Sequence, residues 1–213
     1  AVYDSVSKSV TTQDTNPSHI AFKPDGTKMY MLGRLNNRIY QYTLSTAWDV
    51  STATYDSVSF LVSGQDTAPY AVAFKTDGTK MYVVGDTNNR IFQYTLSTAW
   101  VLDTATYDSV SFLVSGQDTG PLSVYFKPDG TKMYTYGYTS KSVYQYTLST
   151  AWVVSSATYD SISFVTSTQA AQPYAFDISS DGLKMYVADN TTDSVYQYTV
   201  GSIVTATTTY PAS

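Results

Sequence analysis

Residues 22–30 read FKPDGTKMY, residues 74–82 FKTDGTKMY and residues 126–134 FKPDGTKMY. A looser copy, ISSDGLKMY, stands at 178–186. Each copy has an apolar stretch, an Asp-Gly pair and a second apolar stretch. Asp-Gly accepts the positive φ of a tight hairpin turn, so the motif predicts strand, turn, strand. The pairs lie at 25–26, 77–78, 129–130 and 181–182, a constant spacing of 52 residues. The rest of the chain keeps that period. QYTLSTAW recurs at 41–48, 93–100 and 145–152 and decays to QYTVGSIV at 197–204. TYDSVSFLVSGQDT recurs at 54–67 and 106–119, with TYDSISFVTSTQAA at 158–171. A fixed period of this length marks a repeat architecture. No linker separates the copies, so the chain reads as one domain with repeats at about 11–62, 63–114, 115–166 and 167–213 plus 1–10.

Each repeat divides into four predicted strands. In the second they fall at 70–75, 80–84, 90–96 and 106–114. KMYVV and KMYML are apolar on both faces, so both faces must be covered, as in sheets stacked around an axis. Residues 2–10 (VYDSVSKSV) match the fourth strand of the other repeats, whereas the last repeat ends in TATTTYPAS. Pro211 cannot donate a ladder bond in a central strand. The reading is an all-β, four-bladed β-propeller with four antiparallel strands per blade. The N-terminal strand is expected to complete the last blade and close the ring. The alternative is half of an eight-bladed ring built from two chains.

Composition agrees. Of 213 residues 21 are Tyr, there is no Glu, and charged residues make up 14 %. Aromatic and β-branched residues suit strands. Net charge is −5, and the 12 Lys and Arg are scattered singly, which argues against nucleic acid. No apolar run reaches membrane-helix length, so no membrane insertion is expected. AVYDSVSKSV has no leader character, and the chain is expected to follow a removed leader or to be cut from a longer protein. With no Cys, disulfides and thiol chemistry are absent.

The run PYAVAFKTDGTKMYV at 69–83, repeated at 17–31 and 121–135 and loosely at 173–187, resembles the YVTN-type propeller repeat. Such repeats are similar to those of surface-layer proteins and of marine bacterial and phage-encoded proteins. The resemblance implies the propeller fold and leaves activity open, since propellers host binding, scaffolding and hydrolysis alike. Four copies are fewer than that family usually has.

Positions that differ between copies are free of the packing that keeps the others alike. Tyr70 and Tyr174 open the first strand of their repeats where Ser18 and Leu122 stand in the others. Tyr138 stands in the second turn of its repeat where the others have Arg34, Asp86 and Asn190. In a propeller both sets reach one face, where loops on a rigid scaffold carry binding. Aromatic faces beside polar groups suit sugars, so Tyr70, Tyr174, Tyr138, Arg34, Asp86 and Asn190, with Tyr125, His19 and Asp177, form the candidate ligand site. Asp14, Asp66 and Asp118 share one loop position and could hold a hard cation such as Ca²⁺ on the axis. His19 is the single His, and ring closure would set it near Asp177. Lactonase-like propellers use an axial metal with carboxylate ligands, and the Glu such sites often include is missing here. The reading is a non-enzymatic binding or adhesion propeller for glycans or a cell-surface polymer, outside the cell or on a virion. Its partner is carbohydrate or a surface protein, it has no cofactor beyond a structural Ca²⁺, and it is a monomer or dimer. The alternatives are an interaction domain of a surface assembly and a metal-dependent hydrolase.

Overall fold

Each repeat folds into one antiparallel sheet. The computed structural model describes residues 3–179 and 181–200. Blade one holds β1 (Pro17–Phe22), β2 (Lys28–Gly33), β3 (Arg38–Leu44) and β4 (Ala53–Leu61). Blade two holds β5 (Pro69–Phe74), β6 (Lys80–Gly85), β7 (Arg90–Leu96) and β8 (Ala105–Leu113). Blade three holds β9 (Pro121–Phe126), β10 (Lys132–Gly137), β11 (Ser142–Leu148) and β12 (Ala157–Val165). Blade four holds β13 (Pro173–Ile178), β14 (Lys184–Asp189) and β15 (Ser194–Thr199). Neighbours in sequence are neighbours in the sheet throughout, so the molecule is a four-bladed β-propeller. Registers repeat: Tyr42 faces Tyr55, Tyr94 faces Tyr107 and Tyr146 faces Tyr159, each beside a bulge.

The blades join through one repeated contact. Tyr30, Leu32 and Ile39 of blade one pack on Val72, Met81 and Val83 of blade two. Tyr82, Val84 and Ile91 of blade two pack likewise on Val124, Phe126 and Met133. Polar groups inside this apolar layer are satisfied across it, as burial demands. The Tyr30 hydroxyl donates to the Trp100 carbonyl at 2.6 Å, and that of Tyr82 to the Trp152 carbonyl at 2.7 Å. The Leu102 N–H donates to Gln41 Oε1 at 2.8 Å, and that of Val154 to Gln93 Oε1 at 3.0 Å. Trp100 itself lies on the Asp-Gly turn of its own blade.

The expected closure is not made. Blade four has three strands among the described residues, and no ladder joins residues 3–10 to β15. Residues 3–10 instead lie on blade one: Tyr3, Asp4 and Val6 share a hollow with Trp48 and Val50, and Val10 packs on the Met29–Tyr42 cluster. Tyr42 donates to Gln13 Oε1 at 3.1 Å, as Tyr94 does to Gln65 at 3.2 Å. Ser5 has φ 58°, matching the 59° of Ser57 in β4. The segment thus holds, against blade one, the place that β4 holds against blade two. Its contacts with blade one are satisfied there, and the edge of β15 does not come to it. Among the described residues the ring stands open between blades four and one: Val195 is 70 % exposed, whereas its equivalents Ile39 and Ile91 are at 0 %. TATTTYPAS, with Tyr210 and Pro211, lies outside the described residues.

Gly78 has φ +74°, and an added Cβ would lie 2.3 Å from the Trp100 ring. Left-handed backbone and ring collision each cost roughly 1–3 kcal/mol. Gly78→Ala is therefore expected to lower the melting temperature by several degrees. Gly64→Ala, with open space around it, should leave it unchanged. Equal melting curves would rule out the Trp-on-turn contact as a source of stability.

Candidate functional site

The loops at the mouth of the propeller are held by buried carboxylates. Asp66 accepts the N–H of Ala68 at 2.8 Å on one oxygen and the N–H of Asn88 at 2.8 Å on the other. Asp14 does the same with Asn16 at 2.7 Å and Asn36 at 2.9 Å, and Asp118 with Gly120 at 2.7 Å and Ser140 at 2.6 Å. The axial Ca²⁺ set expected from these three is thus corrected. Each carboxylate binds two loops of its own blade, and among the described residues no three metal-ligating side chains come together. Their oxygens are committed to backbone N–H groups, so they do not fit a shared axial cation.

Blade four solves the same problem in reverse. Ala170 stands at the Asp position and Asp189 at the position of Gly33, Gly85 and Gly137. Asp189 accepts the N–H groups of Gln172 at 2.5 Å and Thr191 at 3.0 Å. A Cβ on Gly85 would lie 2.4 Å from the Asp66 carboxylate, so only one of the two positions can carry it. Losing the carboxylate strands buried N–H groups at roughly 1–3 kcal/mol each. Asp66→Ala is expected to destabilise accordingly. Asp66→Ala/Gly85→Asp, which copies blade four, should recover most of the loss in thermal melting. A double variant no more stable than the single would sink this account.

Tyr70, Tyr138 and Tyr174 do gather, with Leu122, Gln172 and Pro173, around a mouth pocket of about 260 Å³. The Arg34 guanidinium covers the Tyr70 ring at 3.8 Å, and the Lys141 ammonium lies 5.9 Å from the Tyr138 ring. Arg34 also opposes the upward pull that burial and then the Asp66 charge exert on the Asp86 carboxyl. Asn190 is exposed and ties its loop by donating its N–H to the Gln172 carbonyl. Tyr136, another Tyr that differs between copies, is fully buried core.

A larger cavity of about 630 Å³ is lined by β1, β5, β9 and β13, with Tyr186 and Ala188 of β14 and Val195 of β15. His19, Ser123, Tyr125 and Asp177 all line it, among apolar side chains such as Val72 and Phe176. Burial lowers the His19 pKa from the ordinary 6.5 to about 4, so the imidazole is neutral at pH 7, and its Nδ1 has no partner. Burial raises the Asp177 carboxyl, against the pull of the Ile178 N–H. Burial, then the Asp177 charge, raises the Tyr125 phenol. A further cavity of about 380 Å³, between β11, β12 and blade four, is lined by Gln145, Ile162 and Tyr198. It lies where Leu102 and Val154 pack in the earlier junctions, and the equivalent position, 206, is outside the described residues.

The lowered His19 pKa makes stability depend on pH. Between about 4 and 6.5 the unfolded chain takes the proton and the folded chain does not, so stability falls as pH drops through that window. The full gap corresponds to roughly 3 kcal/mol. His19→Gln should flatten that part of the stability–pH curve in urea unfolding at pH 4–7. Parallel curves for both proteins would place His19 in an environment less buried than this one.

No family model and no curated protein matches the chain. Solved structures do. A protein provisionally named 6-phosphogluconolactonase from Bacteroides uniformis superposes with TM-score 0.60 at 13 % identity, over 88 % of this chain and 51 % of that one. The periplasmic gluconolactonase of Pseudomonas aeruginosa gives 0.55 at 11 %, over 84 % and 48 %. Hydrazine synthase of Kuenenia stuttgartiensis gives 0.57 at 17 %, over 88 % and 47 %. The chain spans about half the length of each. At these identities the likeness shows the propeller fold. The expected reading of a non-enzymatic glycan-binding adhesin is corrected here, since proteins that share the fold are named as lactonases. No described helix is long and apolar enough to cross a membrane.

Proposed function

We propose that the axial cavity hydrolyses the ring ester of a sugar lactone, with His19 as general base. The observation that carries this is a neutral, part-buried imidazole lining the cavity that Asp177 and Tyr125 also line. A neutral imidazole can take a proton from water. The water oxygen then bonds to the lactone carbonyl carbon. The ring C–O bond breaks, and the proton passes from the imidazolium to the departing alkoxide. The product is the open hydroxy acid. The Tyr125 phenol stays protonated and can donate to the carbonyl oxygen as charge develops. The Asp177 carboxylate can orient the water or a sugar hydroxyl. At the mouth, Arg34 and Lys141 offer positive charge to an anionic substituent such as a phosphate. The lactonase names among the fold neighbours support this substrate class, and the periplasmic one supports a place outside the cytoplasm.

The test is hydrolysis of glucono-δ-lactone and its 6-phosphate above the spontaneous rate. A positioned general base contributes about 10²–10⁴-fold, so His19→Gln should lose that much kcat/KM. The base must be unprotonated to act, so kcat/KM should stay level from pH 7 to near 5 and fall through about 4. Wild type no faster than background on either lactone, or His19→Gln as active as wild type, would dispose of the proposal.

A further inference from the structure

We infer that the open junction is filled by a second copy of this chain, so that two four-blade arcs close one eight-bladed ring. Both halves of the repeated junction stand ready at the two ends of the arc. Blade four presents Tyr186 and Gln197, the equivalents of Tyr30 and Gln41, which reach the Trp100 carbonyl and the Leu102 N–H across the first junction. Blade one presents the matching acceptor side, the Trp48 carbonyl and the Val50 N–H. Trp48 is 58 % exposed, whereas Trp100 and Trp152, covered by a preceding blade, are at 9 % and 8 %.

The fourth strand is divided the same way. In the complete blades a Lys of the second strand bridges an Asp of the fourth: Lys28 to Asp56 at 3.0 Å, Lys80 to Asp108 at 3.1 Å and Lys132 to Asp160 at 2.8 Å. The Gln of the third strand donates to the same carboxylates. In blade four Lys184 and Gln197 meet no such Asp among the described residues. The carboxylate that fits the period is Asp4, which stands on blade one at the far side of the opening. Donor end and acceptor end are therefore complementary and on one molecule, which is the condition for closed association of like copies. It would also remove the open β15 edge.

A second copy fits better than the same chain curling on itself. The arc superposes over 88 % of its length on 51 % of a longer chain, with TM-score 0.60, so an arrangement of blades like this one can stand within a larger ring. Closing four blades alone would have to tighten junctions whose core residues, such as Tyr30, Tyr82 and Met81, are already at 0 % exposure. Two arcs with a two-fold axis along the channel make both missing junctions without changing the existing ones.

The test reads mass, not hydrolysis, so it stands apart from the lactonase proposal. Light scattering of the purified chain over ~1–100 µM, concentrations at which a junction of this type should hold, is expected to give twice the 23.4 kDa of one copy. Val195→Asp replaces a side chain that is exposed in the open arc and should yield folded single copies with an unchanged circular dichroism spectrum. Asp4→Lys should weaken pairing by roughly tenfold or more by setting like charges together, and Asp4→Lys/Lys184→Asp should restore it. A wild-type mass of one copy throughout the range would overturn the inference, as would a dimer indifferent to Val195→Asp.

Discussion

The whole structure hangs on the tyrosine hydroxyl buried between neighbouring blades. A sheet apolar on both faces must have a neighbour on each side, and the Tyr at the centre of that face brings a hydroxyl that needs a partner. The partner is the carbonyl of a Trp in the next blade, at 2.6 Å for Tyr30 and 2.7 Å for Tyr82. That carbonyl is available because the Trp backbone is left-handed, with φ 64° at Trp100 and 65° at Trp152. A bulky residue holds such a conformation only when its surroundings enforce it. Here the ring lies flat on the glycine of the Asp-Gly turn and leaves no other place for it. Turn, Trp and Tyr are thus one device that spans two blades. The repeat in sequence is a blade, but the cooperative unit is a junction.

Much of this was legible before any coordinates. The 52-residue period fixed blade number, and the doubly apolar KMYVV runs required covered faces. The strand positions follow, because hydrophobic pattern and turn chemistry are local properties. The destination of residues 2–10 was not legible. Their pattern says only that they form the outer strand of some blade, and packing against blade one, through Val10 and Gln13, decides where they lie. Asp14, Asp66 and Asp118 misled for a similar reason. A carboxylate in a loop looks the same whether it binds a cation or a backbone N–H more than 20 residues away, as Asn88 is from Asp66.

The candidate site was legible in a different way. His19, Tyr125 and Asp177 stand where the other blades carry residues such as Ala71, Ala73 and Ala21, and departure from the repeat marked them. The structure adds that all three line one cavity, and that burial keeps the imidazole neutral. Neither follows from spacing, because both depend on how far the inner strands of different blades stand apart. The mouth Tyr residues were found by the same comparison, but the Arg34 cover over Tyr70 was not, since it joins loops of two blades.

The carboxylate that moves from Asp14, Asp66 and Asp118 to Asp189 has a consequence for how such a chain can evolve. Near-identical repeats invite genetic exchange between copies, which splices part of one blade into another. A crossover between the two mouth loops of blades three and four would leave one hybrid with two facing carboxylates and the other with none. The first crowds like charges in a buried space, and the second strands backbone donors. The last blade is therefore partly isolated from recombination with the other three. It can accumulate changes such as Asp177 that copying from its neighbours would otherwise erase.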